Sequence, residues 1–221
     1  MAENLISKDV IYSIVGNDAR ADIVESLVAT INTHGVKYGL ASSNALAVFL
    51  AQCAVESDRL KTLKEYGNKS YFNQYDIRYN PAKAKELGNT QPGDGERFKG
   101  RGIFQLTGRY NYQKFSKWYF GDDRLLTSPE LLEQPKYAIW SALYYWSTKS
   151  GLKDAAIKGD MKGATKKINS GLKHLAERTK YYAKAIAVFK KKIWNVVWKG
   201  ATAAVNIPLH TFLNKLYLHY K

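Results

Sequence analysis

Residues 95–112, GERFKGRGIFQLTGRYNY, gather four glycines and three arginines around a short apolar run and leave one glutamine and one threonine in its middle. A period of two sends Ile103, Gln105 and Thr107 to one side and Phe104 and Leu106 to the other, as in a short strand between glycine turns. Gln105 and Thr107 then face one way, offering an amide and a hydroxyl to a water or a sugar N-acetyl group. The flanking glycines permit tight turns or close backbone approach. The competing reading is a turn-strand-turn whose polar side chains satisfy nearby backbone groups.

Most of the sequence around this stretch reads as helix. DARADIVESLVATINTHG (18–35) has Asp18 as candidate N-cap, Ile23, Leu27, Val28 and Ile31 at helical spacing, and Gly35 as the stop. SSNALAVFLAQCAVES (42–57) starts with Ser42 or Ser43 as cap and is apolar on most sides until Gln52 and Glu56, which predicts a central helix. From Leu60 to Lys99 the texture turns to Tyr, Asn, Gly and Pro, predicting loops, a small helix near 81–87 and a short hairpin, the place for a binding surface. Helical patterns resume within 133–151, 160–171 and 175–192.

The whole chain of 221 residues is long enough for one sizeable domain, read as 1–192, with an appendage at 193–221. That appendage is basic, aromatic and free of acids, and Pro208 splits it into two pieces. It reads either as helices docked on the domain or as an element for an anionic membrane or lipopolysaccharide surface. A net charge of +15 favours polyanionic partners in general. The one cysteine, Cys53, lies in an apolar run and reads as a buried inert thiol, so no disulfide framework is expected. No secretory signal and no membrane span are recognised, which places the chain in the cytoplasm unless a separate exit route exists. His34, His174, His210 and His219 have no ligand-like spacing, and neither a metal nor another cofactor is expected.

Two carboxylates near the change of texture carry the chemistry. Glu56 closes the apolar helix, where partial desolvation would keep a proton available; Glu65, nine residues on in a polar segment, would stay ionised. Unlike carboxylates are what glycosidic hydrolysis needs, one to protonate the leaving oxygen and the other to activate water. The plain alternative for Glu56 is a surface pair with Arg59 at i+3.

Three stretches, AVFLAQCAVES…LKTLKE, GDGERFKGRGIFQLTGRYNY and KKINSGLKHLAERTKYYAKA, resemble in order the signature segments of family 19 glycoside hydrolases, in the compact form of bacteriophage endolysins. The resemblance implies a mainly α, lysozyme-like domain with a small loop and β-hairpin region forming one wall of the cleft. It implies an inverting mechanism with Glu56 as general acid, Glu65 as general base and Thr107, where chitinases carry serine, helping to position the water. It further implies substrate contacts at Gln105, Tyr110, Asn111, Asn169 and Arg178. Val55 stands where histidine is usual and Ser170 replaces a glycine of the INGG motif, but neither change removes a proton donor or acceptor.

Because chitin is neutral and peptidoglycan anionic, the charge favours peptidoglycan, and the expected activity is cleavage of β-1,4 bonds between N-acetylmuramic acid and N-acetylglucosamine. Release assisted by a holin and a monomeric state follow as expectations, with no nucleic-acid partner. Two alternatives stay open: a chitinase, and a non-catalytic basic protein whose Tyr-rich loop 66–79 binds cell wall or stacks bases.

Overall fold

A computed structural model describes the backbone of residues 4–204 and the side chains of residues 4–191. The chain forms two compact units, Met1–Ile186 and Ala187–Lys221. Its helices are α1 (Lys8–Val15), α2 (Ala21–His34), α3 (Ser43–Glu56), α4 (Lys69–Phe72), α5 (Pro81–Leu87) and α6 (Asp94–Arg97), then α7 (Arg109–Phe120), α8 (Arg124–Thr127), α9 (Pro135–Thr148), α10 (Leu152–Ile157), α11 (Met161–Ile168) and α12 (Leu175–Ala204). The second unit begins within α12; the side chains of the 193–221 extension, and Pro208 with them, lie outside the described residues.

The central helix is α3. Every residue from Ala45 to Ala54 is buried, as a helix apolar on all sides must be, and α10 and α11 pack against it while α2 packs on α9. Ser42 is its cap, its hydroxyl accepting from the Ala45 N–H at 3.1 Å. Cys53 lies inside it at 1% exposure, and burial pushes its thiol well above the ordinary range. A second core forms around Phe98, Leu106, Tyr112 and Phe115, beneath α7 and α8. The expected cap Asp18 does not cap: α2 starts after Arg20 without a side-chain cap, and Asp18 pairs instead with Lys61 at 2.5 Å and Arg59 at 3.1 Å.

The Tyr-rich region folds as short helices, with α5 where the sequence predicts it. Among the described residues strand pairing amounts to two isolated bridges, Lys64 with Arg101 and Arg101 with Leu106. The alternation expected for 103–107 is therefore corrected. Gly102 and Gln105 adopt φ of 79° and 50°, so residues 102–105 form a tight turn closed by reciprocal hydrogen bonds between Arg101 and Leu106 at 3.1 and 2.8 Å. Ile103 and Leu106, both buried, anchor that turn, and Gln105 and Thr107 no longer share the face of a strand.

Buried acids knit the loops. Asp94 accepts from the Thr90 and Gln91 N–H groups and from the Arg109 guanidinium, tying the loop before α6 to the start of α7. Asp76 accepts from the Gly93 N–H at 2.6 Å and from the backbone and guanidinium of Arg78. The Arg78 hydrogen bond foremost, outweighing the burial that opposes it, holds the Asp76 carboxyl well below the usual carboxylate range. A carboxylate depressed in the folded state contributes stability above its unfolded value, about 3.9, and loses that contribution as pH falls toward the folded value. Asp76→Ala is thus expected to cost about 2 kcal/mol in urea unfolding at neutral pH, with the difference from the parent shrinking steadily below about pH 4.

Candidate functional site

Glu56 is the last residue of α3, one turn beyond Gln52 on the same face. Beyond it the Ser57 hydroxyl donates to the Cys53 carbonyl at 2.6 Å and accepts from the Leu60 N–H at 3.0 Å. Asp58, Arg59 and Leu60 then follow in the left-handed region, with φ of 47°, 60° and 64°. Such a conformation costs non-glycine residues about 1–2 kcal/mol each. The Arg59 N–H donating to the Ala54 carbonyl at 2.6 Å, those of Lys61 and Thr62 donating to the Ser57 carbonyl, and a Leu60 side chain only 1% exposed offset it. The turn reverses the chain directly after the first glutamate and starts it back toward the second.

Arg178, on α12, is the partner of Glu56: its Nη2 donates to Glu56 Oε1 at 2.5 Å. Nη1 donates to Gln52 Oε1 and Nε to the Lys173 carbonyl at 3.1 Å. The Gln52 amide is oriented in turn by donating to Thr165 Oγ1 at 3.1 Å. The alternative pairing of Glu56 with Arg59 is not what the fold makes, because Arg59 turns to Asp18. Arg178 itself is 1% exposed, so the structure places it behind Glu56 as its holder.

Glu65 is held from three sides. Its Oε1 accepts from the Tyr75 hydroxyl at 2.8 Å and from that of Tyr71 at 3.2 Å, and Oε2 accepts from the Gly100 N–H at 3.0 Å. The Glu65 N–H returns a bond to the Gly100 carbonyl at 2.8 Å, which fixes this segment beside the 100–108 loop. Gln105 meets it there: a Cβ added at Gly100 would lie 2.8 Å from Gln105 Oε1 and 3.1 Å from Glu65 Oε2. The Gln105 amide nitrogen donates to the Gly102 carbonyl at 3.0 Å, while its buried Oε1 has no hydrogen-bond partner among the described residues. Thr107 Oγ1 donates to the Gln105 carbonyl at 2.8 Å and Asn111 to the Thr107 carbonyl at 2.8 Å, so both close the turn locally. Tyr110 stands half-exposed on the first turn of α7. Asn169 ends α11, where its Oδ1 accepts from the Lys173 N–H at 3.3 Å.

No family model matches the chain. It is 28% identical over 181 residues to a glycosyl hydrolase family 19 domain-containing protein of Haemophilus influenzae, covering 72% of this chain and 87% of that one. Its fold matches chitinase C from Streptomyces griseus HUT6037 with a TM-score of 0.64 at 20% identity, over 85% of this chain and 95% of the other. A bacterial family 19 chitinase matches with a TM-score of 0.62 at 20% identity, over 82% and 93%. The chain thus resembles a family 19 protein in sequence and shares the fold of family 19 chitinases.

The two glutamates have different neighbours, a guanidinium at Glu56 and two phenols with a backbone N–H at Glu65. Burial foremost, and then its hydrogen bond to Glu65, push the Tyr75 phenol far above its ordinary range, so Tyr75 keeps its proton and stays a donor. Tyr145 is pushed up to about 12 by burial and by the charge of Glu56, and its hydroxyl donates to the Lys167 carbonyl at 2.8 Å. Gln52, Tyr71 and Tyr75 are the site residues that sequence reading passes over. A lone amide four residues before Glu56 in an otherwise apolar helix was the available signal for Gln52. The tyrosines had none, being two among many in a Tyr-rich loop. Among the described residues no cluster of three or more His, Cys, Asp or Glu is arranged to hold a metal ion.

Proposed function

We propose that this protein is a family 19 glycoside hydrolase that cleaves the β-1,4 bonds of peptidoglycan between N-acetylmuramic acid and N-acetylglucosamine with inversion, as an endolysin of the phage type. The observation that carries the reading is the separate anchoring of two carboxylates. Glu56 is gripped by a buried guanidinium through Oε1, and Glu65 accepts three hydrogen bonds from Tyr71, Tyr75 and Gly100. To act as general acid Glu56 carries its proton on Oε2 in the reactive complex, while Oε1 keeps the Arg178 hydrogen bond, and delivers that proton to the glycosidic oxygen as the bond breaks. Glu65, with donors on both oxygens, serves as the base that draws a proton from water. Inversion requires room for that water, about 6.5–9.5 Å between the carboxyl groups, and distinct anchors keep such a gap from collapsing. Gln105 borders the Glu65 side, and in this reading it and Thr107, bonded to the Gln105 carbonyl, help place water and sugar; Tyr110, Asn111 and Asn169 contact substrate.

The net charge of +15 supports an anionic polymer over a neutral one, through faster encounter. Host lysis would follow holin-assisted passage to the wall, with the 190–221 segment, six lysines and no acid, engaging the anionic envelope. No helix among the described residues is long and apolar enough to cross a membrane. A second reading, hydrolysis of chitin, is favoured by the family 19 chitinases whose fold it shares. Reducing-end release from purified sacculi and from chitin oligomers, with mass spectrometry of the products, separates the two. New N-acetylmuramic acid reducing ends support the first reading, and chitin turnover without muropeptide release rejects it.

Gly100 offers a local test of the Glu65 wall. In Gly100→Ala the new methyl meets Gln105 Oε1 and Glu65 Oε2 and pushes both, so kcat is expected to fall about tenfold to a hundredfold while the circular dichroism spectrum stays that of the parent.

A further inference from the structure

One face of α7 carries Tyr110, Lys114 and Trp118 at four-residue spacing, so they form a stripe along the helix. The opposite face is buried through Tyr112, Phe115 and Ser116, yet Tyr110 and Trp118 remain 50% and 40% exposed. The stripe begins at the first turn of α7, directly after the Gln105–Thr107 loop, and runs outward for about 12 Å, eight residues at 1.5 Å each. The Lys114 ammonium lies 4.8 Å from the centre of the Tyr110 ring. Tyr144, on the neighbouring α9, flanks the outer end with its ring centre 5.2 Å from that of Trp118, and Trp140 and Tyr38 continue the aromatic surface at 6.1 and 6.3 Å from Trp118. Lys37, beside Tyr38, is exposed.

An aromatic stripe left open beside a buried core is a surface that gains from being covered. Its chemistry is specific: flat rings match the C–H faces of pyranose sugars, and ammonium groups interleaved with the rings match carboxylates spaced along a chain. Continuity with the Gln105–Thr107 wall means that a polymer seated between Glu56 and Glu65 could leave the site along this face.

We infer that the Tyr110–Lys114–Trp118 stripe, with Tyr144 beside it, is a glycan track that binds the strand of peptidoglycan beyond the bond being cut. This rests on the proposed glycosidase reading for the identity of the polymer, and on the stripe itself for its location. The test uses the full chain carrying Glu56→Gln, so that bound strand is not consumed, and measures its retention on purified sacculi and on chitin beads. Adding Trp118→Ala is expected to raise the half-saturating amount of sacculi about tenfold, and Trp118→Tyr to recover most of the loss. Equal retention of parent and Trp118→Ala, with unchanged circular dichroism, would overturn the track. A loss that Trp118→Tyr does not recover would do the same, because it would mark a packing role. Losses of equal size on chitin and sacculi would overturn the assignment to an anionic strand. Reducing-end release by the unsubstituted chain is measured alongside: its absence on both polymers removes the glycosidase reading, whereas the retention series decides the track independently.

Discussion

Glu56→Gln is expected to lower kcat on peptidoglycan by about 10²–10⁴-fold, the range that a positioned general acid supplies, with the substrate dependence of the remaining activity little changed. The substitution is nearly isosteric and its carbonyl oxygen still accepts from Arg178, but the buried guanidinium loses its counter-charge, so the unfolding free energy should fall by about 1–3 kcal/mol while the fold is kept. Glu65→Gln should be about as damaging, because an amide accepts no proton from water. Activity within tenfold of the parent in either variant, measured as reducing-end release, would remove that residue from its assigned role.

Arg178→Leu should produce the largest loss of stability. It leaves the Glu56 carboxylate without its cation and strips Gln52 Oε1, inside the core, of its donor. Removing one partner of a buried pair costs about 3–5 kcal/mol, and the residual solvent access of Glu56, 17% exposed, points to the lower end. Arg178→Lys should recover only part of this, since a single ammonium cannot match a planar fork that bonds Glu56, Gln52 and the Lys173 carbonyl together. Urea unfolding reads the stability, and the kcat against KM split reads function. A residue that acts by holding Glu56 lowers kcat in Arg178→Lys, whereas one that touches sugar chiefly raises KM. A midpoint for Arg178→Leu within about 0.5 kcal/mol of the parent would show that Glu56 is held by something else.

Several features are legible in the sequence. A helix apolar on every side had to be central, and α3 is; Pro81 and Gly88 bracket α5 where the pattern predicts it. By contrast α7 was passed over, because its aromatic and polar residues give no clear amphipathic stripe and it begins at a glycine without a side-chain cap. Residues 103–107 alternate as a strand does, but alternation arises readily in so short a window. The positive φ of Gly102 and that of Gln105, a residue type that rarely adopts it, together reverse the chain there.

What the amino-acid order determined alone was local: which segments are helical, which helix is buried, where the texture changes, and that two glutamates of unlike surroundings lie nine residues apart. The tertiary structure decided the partners. Arg178 lies more than one hundred residues from Glu56 along the chain, and Gly100 thirty-five from Glu65, so their contacts depend on how α12 and the 100–108 loop return to α3. Three consecutive left-handed residues, unsignalled by any glycine, complete the reversal after Glu56. Hydrogen bonds and charges act over a few ångströms of space whatever the separation in sequence, so composition could name the two carboxylates but only packing could say which groups hold them.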